Sequence, residues 1–480
     1  MMLNNKSLRL QVLSGIAWRG GADIVQHVLQ IVFTVILARL LSKGDFGLAA
    51  MALLVNRFVT TITNIGFGNA IIQSQTITKG QISAIFFVQL SLNIFLTILV
   101  FINADLAASF FDEPQLTLLI KTFSFVIILQ SLQFPNILLR KELMFKSFSL
   151  LEIMSMVISN SIAIILAIRG FGVWALVWRL IVQRLIFGIF SFYYSEWVPT
   201  KPEFKGIKPL FRFGINMLGS NFTYYFAENL VALITGKYLG KDVLGLFNIA
   251  YNLAIVPATK IQSIITSVLT PGFSKIQNSI GRFRNNYTKA LDLTSLLFIP
   301  IMVMLMATST NLIPIIYGAK WQGAGNMLMF LSLVGIIRGL SHILRSAILA
   351  KGKSNIIFIS TLTELIPSLP LMYLLMPYYG IYGLILGYAF GAILGWIYTS
   401  NRYNKIIELR CGVWSTIKVS VTISLILFLM VYGVNAFGLQ ILTTLVIQLI
   451  MGLVIYIMLV WSFKQDILYN IIIKMKKAKS

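Results

Sequence analysis

R39-L-L-S-K-G-D-F-G-L-A-A-M-A52 recurs, after a one-residue gap, as K237-Y-L-G-K-D-V-L-G-L-F-N-I-A250, and that recurrence decides the fold. Upstream of it G15-I-A-W-R-G20 aligns with G214-I-N-M-L-G219, at an offset of 199. Downstream G172-V-W-A-L176 aligns with G380-I-Y-G-L384, at an offset of 208. Short apolar segments match by chance, but separated matches that keep nearly one register do not. The chain is therefore read as two tandem copies of one unit followed by an unmatched tail.

Each copy is a string of apolar runs. Of the 480 residues 58% are hydrophobic and only 11% charged, and the mean hydropathy is +0.85. A soluble domain carries about a quarter charged residues. A hydrocarbon core about 30 Å thick needs roughly 20 apolar residues to span it as a helix. Fourteen such segments are expected: 13–38, 47–71, 81–104, 117–138, 149–168, 172–194, 211–236, 244–270, 290–315, 324–349, 355–376, 381–402, 415–436 and 440–462. Solid runs such as Val421 to Val431 exclude a β-barrel, whose strands alternate in polarity. The expectation is an all-α polytopic membrane protein with six helices in 1–200, six in 201–410, and two more helices with a basic tail in 411–480. Six is even, so the two lobes are parallel repeats, the plan of transporters that rock one bundle against another.

Charge placement sets the orientation. Connections on the side of the termini hold about 25 Lys and Arg, and those on the opposite side about 6. Both ends are expected in the cytoplasm. The net charge of +24 then reflects topology and anionic lipid rather than nucleic acid. The first apolar segment has spanning length, carries charge and lacks a small-residue cleavage site, so it reads as a span and not a cleaved signal. A single cysteine, Cys411, excludes an internal disulfide, and two distant histidines, His27 and His342, argue against a metal or haem site. The far-side connections are short, which leaves no room for a catalytic domain there.

Polar groups inside the spans mark the candidate site, because a charge in hydrocarbon costs at least about 2.5 kcal/mol and turns to protein, water or ligand. In W18-R-G-G-A-D-I-V-Q-H-V-L-Q30, residues Arg19, Asp23, His27 and Gln30 share one helix face. Arg19 alone could snorkel to the interface and pair with Asp23, but His27 and Gln30 lie too deep for that. Span two aligns Arg57, Thr61 and Asn64, with Arg57 near mid-membrane. Span seven aligns Asn221, Tyr225, Glu228 and Asn229, and span eight carries Asn252, Thr259 and Lys260. Span ten aligns Arg338, His342 and Arg345. Arg179 and Arg184 on span six lie roughly 140° apart, so at most one points straight inward. Span eleven has Glu364 before Pro367 and Pro370, a helix expected to kink or break. Deep cations outnumber deep acids, which favours an anionic cargo, and guanidinium groups suit phosphate.

The stretches R39-L-L-S-K-G-D-F-G-L-A-A-M51, G66-F-G-N-A-I-I-Q73, L138-L-R-K-E-L-M-F-K-S-F148 and G170-F-G-V-W-A-L176 resemble the polysaccharide transporter family. These are Wzx-type flippases of the multidrug/oligosaccharidyl-lipid/polysaccharide superfamily, and the resemblance is to its colanic acid and teichuronic acid branch. It implies a V-shaped pair of six-helix lobes in the bacterial inner membrane. It also implies that an undecaprenyl-diphosphate-linked oligosaccharide passes from the cytoplasmic to the periplasmic leaflet, for lipopolysaccharide, O-antigen or exopolysaccharide synthesis. Relatives use proton or sodium gradients, without other cofactors, and carry essential arginines on the first helices and a cation on the eighth. By helix and depth Arg19, Arg57 and Lys260 occupy comparable places, though a lysine on span eight offers only single-point contact.

Diphosphate binding is thus assigned to Arg19, Arg57, Lys260, Arg338 and Arg179. Ion coupling or gating falls to Asp23, His27, Glu228 and Glu364, for each of which a purely structural role is an equal alternative. The expected partners are the lipid-linked glycan, membrane lipids and the polysaccharide polymerase machinery. Competing readings are a membrane-embedded polymerase or ligase, which would need a large outer loop, and a cation-coupled drug exporter, which would need acidic sites.

Overall fold

The computed structural model describes the backbone of residues 5–63, 67–74, 76–205, 208–407 and 412–463. Within these it leaves undescribed the side chains of 5–17, 69–70, 73, 208–218, 220, 224, 256–268, 270–271 and 354. The chain divides into two compact units, Met1–Gly245 and Leu246–Ser480. This cut falls later than the expected lobe boundary near residue 200, so that the segment 211–236 is grouped with the first six spans.

The first unit runs through α1 (Asn5–Leu40), α2 (Lys43–Thr63), α3 (Phe67–Gln73), α4 (Lys79–Ile102), α5 (Ala104–Phe110), α6 (Leu116–Leu129), α7 (Asn136–Lys141), α8 (Phe145–Ile168) and α9 (Val173–Ser195). The division itself crosses α10 (Lys208–Lys275). The second unit continues with α11 (Ile280–Tyr317), α12 (Gln322–Ala350), α13 (Ser354–Tyr379), α14 (Ile381–Ile406), α15 (Gly412–Gly433) and α16 (Ile441–Phe463). Among the described residues no strand occurs, and twelve helices are long and apolar enough to cross a membrane. They coincide with twelve of the fourteen expected segments. The other two, 211–236 and 244–270, fall on α10, on either side of Gly240. That glycine breaks the helix with a positive φ of 79°.

Local chemistry explains the helix starts. Ser42 and Asp45 cap α2 reciprocally: the Asp45 amide donates to Ser42 Oγ at 3.1 Å, and the Ser42 amide to Asp45 Oδ2 at 2.9 Å. Thr78 and Gln81 form the same box at α4. Gly172 before α9 and Gly380 before α14, paired by the sequence repeat, adopt one backbone conformation (φ 54°, ψ −131° and φ 55°, ψ −129°). A side chain would be strained at either.

In the first unit the rings of Phe86, Phe134 and Trp197 pack with centroids 5.3 Å apart, Phe86 edge-to-face with the other two and Phe134 tilted against Trp197. The stretch after α9 is tied back to the start of α4, with the Glu203 amide donating to the Gly80 carbonyl at 3.0 Å. In the second unit, α13 and α14 pack backbone to backbone. A Cβ on Gly387 would stand 2.8 Å from Met372, and one on Gly391 would overlap the Glu364 carbonyl. Supported this way, α13 continues as one helix through Pro367 and Pro370, so of the kink or break expected there the break does not occur. The α15–α16 pair is keyed to α11 by side-chain amides: Asn311 Nδ2 donates to Asn435 Oδ1 at 2.7 Å and to the buried Gln448 Oε1 at 3.1 Å.

Large apolar side chains face outward along these helices, among them Phe95, Ile98 and Ile102 on α4 and Leu442, Leu453 and Ile457 on α16. In water that would be an aggregation surface; in lipid it is the expected exterior. Exposed Tyr193 and Tyr194 end α9, and Tyr378 and Tyr379 end α13, where amphipathic rings anchor helices at the interface.

Candidate functional site

Three polar clusters emerge from the described residues, two in the first unit and one in the second. The first gathers around Arg19. Its guanidinium lies 3.0 Å from Asp23 on α1 and 2.5 Å from Glu152 on α8, and stacks 5.1 Å from the Phe148 ring centroid. Gln26 Nε2 donates to the same Glu152 oxygen at 3.0 Å. Two carboxylates thus share one arginine, and Arg19 is held between helices instead of standing free. His27, one turn beyond Asp23, is half-buried.

The second cluster centres on Arg57. Helix α2 is among the most enclosed of the spans, yet Arg57 is exposed on it. Among the described residues no carboxylate pairs with it. Its Nη1 reaches Asn229 Oδ1 on α10 at 3.5 Å, and Asn229 Nδ2 donates to the Tyr225 carbonyl at 2.8 Å. Thr61 donates to the Arg57 carbonyl at 2.8 Å. Next to this polar group Phe58 meets Tyr225 and Phe222 edge-on, at 5.4 and 5.6 Å between centroids. The Tyr225 hydroxyl donates to the Leu54 carbonyl at 2.9 Å, locking α10 onto α2. The span-two and span-seven faces expected from helical spacing therefore meet. Glu228 is half-buried beside Asn229 in the chain. Asn64 and the side chain of Lys260 lie outside the described residues.

On α9, Arg184 Nη1 donates to Gln133 Oε1 at 2.5 Å. Arg179 Nε is buried without a hydrogen-bond partner among the described residues.

The third cluster is on α12 and α13. Arg338 Nη2 lies 2.6 Å from Glu364 Oε1, and Arg345 Nη2 lies 4.0 Å from Glu364 Oε2. The first pair is nearly buried, with side-chain exposures of 12% and 9%. Tyr388 of α14 presents its ring face to Arg338, 4.7 Å from the centroid. One carboxylate is thus shared by two guanidiniums. Arg338 is restrained by it, as Arg19 is by its own acids. Among the described residues no group of three or more His, Cys, Asp or Glu is placed to hold a metal ion.

Comparison with known proteins places this architecture. Residues 36–326 match the family described as polysaccharide biosynthesis protein. The chain belongs to that family. It is 30% identical over 359 residues to the lipopolysaccharide biosynthesis protein WzxC of Escherichia coli (strain K12), covering 73% of this chain and 72% of the relative. To the teichuronic acid biosynthesis protein TuaB of Bacillus subtilis (strain 168) it is 27% identical, over 73% and 74% of the two chains. Its fold matches the lipid II flippase MurJ in an inward closed conformation, with a TM-score of 0.75 at 19% identity over 94% of this chain and 99% of that one. The resemblance drawn from the four motifs holds, and the matched region covers most of both sequence repeats.

Glu152 is the site residue that sequence reading missed. It sits at the start of span five, where an acid reads as interfacial, and its partner is 133 positions away. A signal did exist. Arg19 and Gln26 are seven apart, two helical turns, so one acceptor can serve both.

Proposed function

We propose that this protein is a flippase that carries an undecaprenyl-diphosphate-linked oligosaccharide unit across the bacterial inner membrane for polysaccharide synthesis, by alternating access. The observation that carries the reading is the 30% identity, over nearly three quarters of both chains, to a lipopolysaccharide biosynthesis protein. Arg57 supplies the chemistry. A guanidinium near mid-membrane, exposed on an otherwise enclosed helix and facing no described carboxylate, is stable only where water or an anion reaches it. A diphosphate offers such an anion, and the planar multi-donor guanidinium matches its oxygens. Asn229 and the threonines of α2 suit a hydrated sugar, while the polyprenyl tail stays in lipid.

In this proposal fourteen spans cross the membrane, both termini face the cytoplasm, and Lys260 and Arg179 join Arg57 in attracting the diphosphate. Arg19 and Arg338 become available only when their carboxylates are protonated or bind a cation. That links Asp23 and Glu364 to a proton or sodium gradient, and the half-buried His27 and Glu228 are assigned to the same coupling by their depth in the spans. No bond is made or broken, and the released glycan passes to the polymerase machinery.

The test is deletion of the gene followed by leaflet-resolved analysis of lipid-linked oligosaccharides. Accumulation in the cytoplasmic leaflet with loss of periplasmic polymer is expected. Unchanged leaflet distribution with normal polymer would remove the reading.

A further inference from the structure

The repeated motif packs against itself. Gly47 and Gly245 are equivalent positions of the repeat, as are Lys43 and Lys241. A Cβ on Gly47 would overlap the Lys241 carbonyl, and a Cβ on Gly245 would overlap the Lys43 carbonyl while standing 3.2 Å from the Gly47 amide. Each copy thus touches its counterpart through the same pair of positions. Reciprocal contact of this kind is the mark of a local two-fold axis, here between two copies within one chain. Gly44 extends the seam, since a Cβ there would stand 3.1 Å from Asp242 Oδ1, and a Cβ on Gly236 would stand 2.9 Å from the Phe111 ring.

The seam lies at the turn from α1 to α2 and at the Gly240 break in α10, the end of these helices away from the N-terminus. The α5–α6 connection lies at the same end and supplies two acids. Lys237 Nζ pairs with Asp112 Oδ2 at 2.8 Å, and Lys241 Nζ with Glu113 Oε2 at 2.9 Å. Asp112 is 72% exposed, so water screens its pair. A screened pair of that kind holds weakly, and the Lys241–Glu113 pair is the more enclosed of the two, with Glu113 18% exposed. Together they bias a contact without sealing it permanently.

We propose that this glycine seam, with its two ion pairs as latches, is the gate that closes the far-side end of the transporter in the state described. The inference rests on the alternating-access reading above. Backbone laid on backbone leaves no room for water, and small side chains let the two copies part without unthreading large groups. The duplicated motif is kept in both copies because each supplies half of the contact. Opening toward the far side separates Gly47 from Lys241 and Gly245 from Lys43, and breaks both latches.

Cross-linking tests this. With Cys411→Ser removing the only native thiol, Asp112→Cys and Lys237→Cys are combined and bridged by a short bis-maleimide. Transport of lipid-linked glycan should fall about tenfold or more relative to the same protein left unbridged, since opening toward that side is required in each cycle. Bridged protein that transports at the unbridged rate overturns the gate. A second readout needs no lipid-linked substrate. Asn229→Cys, beside Arg57, is labelled in vesicles by an impermeant maleimide from the far side. Bridging the latch should lower that labelling severalfold, and Gly47→Leu with Gly245→Leu should raise it. Labelling indifferent to both changes overturns the gate, whereas labelling that follows the latch in a chain moving no lipid-linked glycan preserves the gate and overturns the flippase reading.

Discussion

Glu152 of α8 accepts from Arg19 of α1 at 2.5 Å, and the same oxygen accepts from Gln26 at 3.0 Å. The arginine that sequence reading set in a substrate hollow is, in this state, a strut between two helices. A half-buried charge-assisted bond of this type contributes about 1.5–3 kcal/mol, and removing the acceptor also strands Gln26. Glu152→Ala is therefore expected to lower stability by about 1–3 kcal/mol, read as a downward shift of Tm in detergent. Glu152→Gln keeps an acceptor and should fall between it and the parent. A Tm unmoved by Glu152→Ala would mean that the pair carries no structural load.

Arg57 behaves oppositely. No carboxylate depends on it among the described residues, and its longest reach is a 3.5 Å contact to Asn229. Arg57→Ala should leave Tm and membrane abundance close to the parent. Transport should nevertheless fall about tenfold to a hundredfold, the loss of one charge-assisted contact of about 1.5–3 kcal/mol to the diphosphate. Arg57→Lys restores the charge without the bidentate fork and should recover part of it. The check is polymer export normalised to protein in the membrane. Full export by Arg57→Ala would remove this residue from the site.

The Arg338–Glu364 pair is nearly buried and shares its carboxylate with Arg345. Truncating one member of a buried pair costs about 3–5 kcal/mol, because the other stays buried and unpaired. Glu364→Ala removes the carboxylate that Arg338 and Arg345 share, and should be the most destabilising single substitution among the three clusters. Replacing both members with apolar groups, Arg338→Met with Glu364→Leu, should cost less than Glu364→Ala alone. A double-mutant cycle on Tm checks the coupling, and additive losses would contradict it.

What could be read in advance follows from how far each signal reaches along the chain. The spans were legible because hydrocarbon requires about 20 apolar residues in a row, a demand written locally. The stripes Arg19–Asp23 and Arg57–Thr61 were legible for the same reason, since helical spacing is local. Partners were not. Glu152 meets Arg19 across 133 positions and Asn229 meets Arg57 across 172, and no periodicity records such pairings. The recurrence of K-G-D-F-G at K-D-V-L-G could be seen in the sequence. That Gly47 and Gly245 face one another's backbone is a property of the folded chain alone. Pro367 and Pro370 suggested a kink or break by a local rule, and tight packing of α14 keeps the helix from breaking.

One buried amide on α16 separates structure from transport. Gln448 is fully buried on α16, and its Nε2 donates to the Val431 carbonyl at 3.1 Å and to Asn435 Oδ1 at 3.3 Å. Its Oε1 accepts from Asn311 of α11. Within hydrocarbon these amides have no water to turn to, so their mutual bonds fix how α15 and α16 seat on α11. Gln448→Leu removes a donor and an acceptor at once and leaves Asn311 and the Val431 carbonyl each short of a bond. The cost of such orphaned groups is about 1–3 kcal/mol. Tm should fall accordingly and membrane abundance with it. No part of this network carries the charges assigned to cargo, so transport per folded molecule should stay near the parent value. A large drop in transport at unchanged Tm would show instead that the α15–α16 pair takes part in moving the lipid-linked glycan, and its amides would then belong to the functional site.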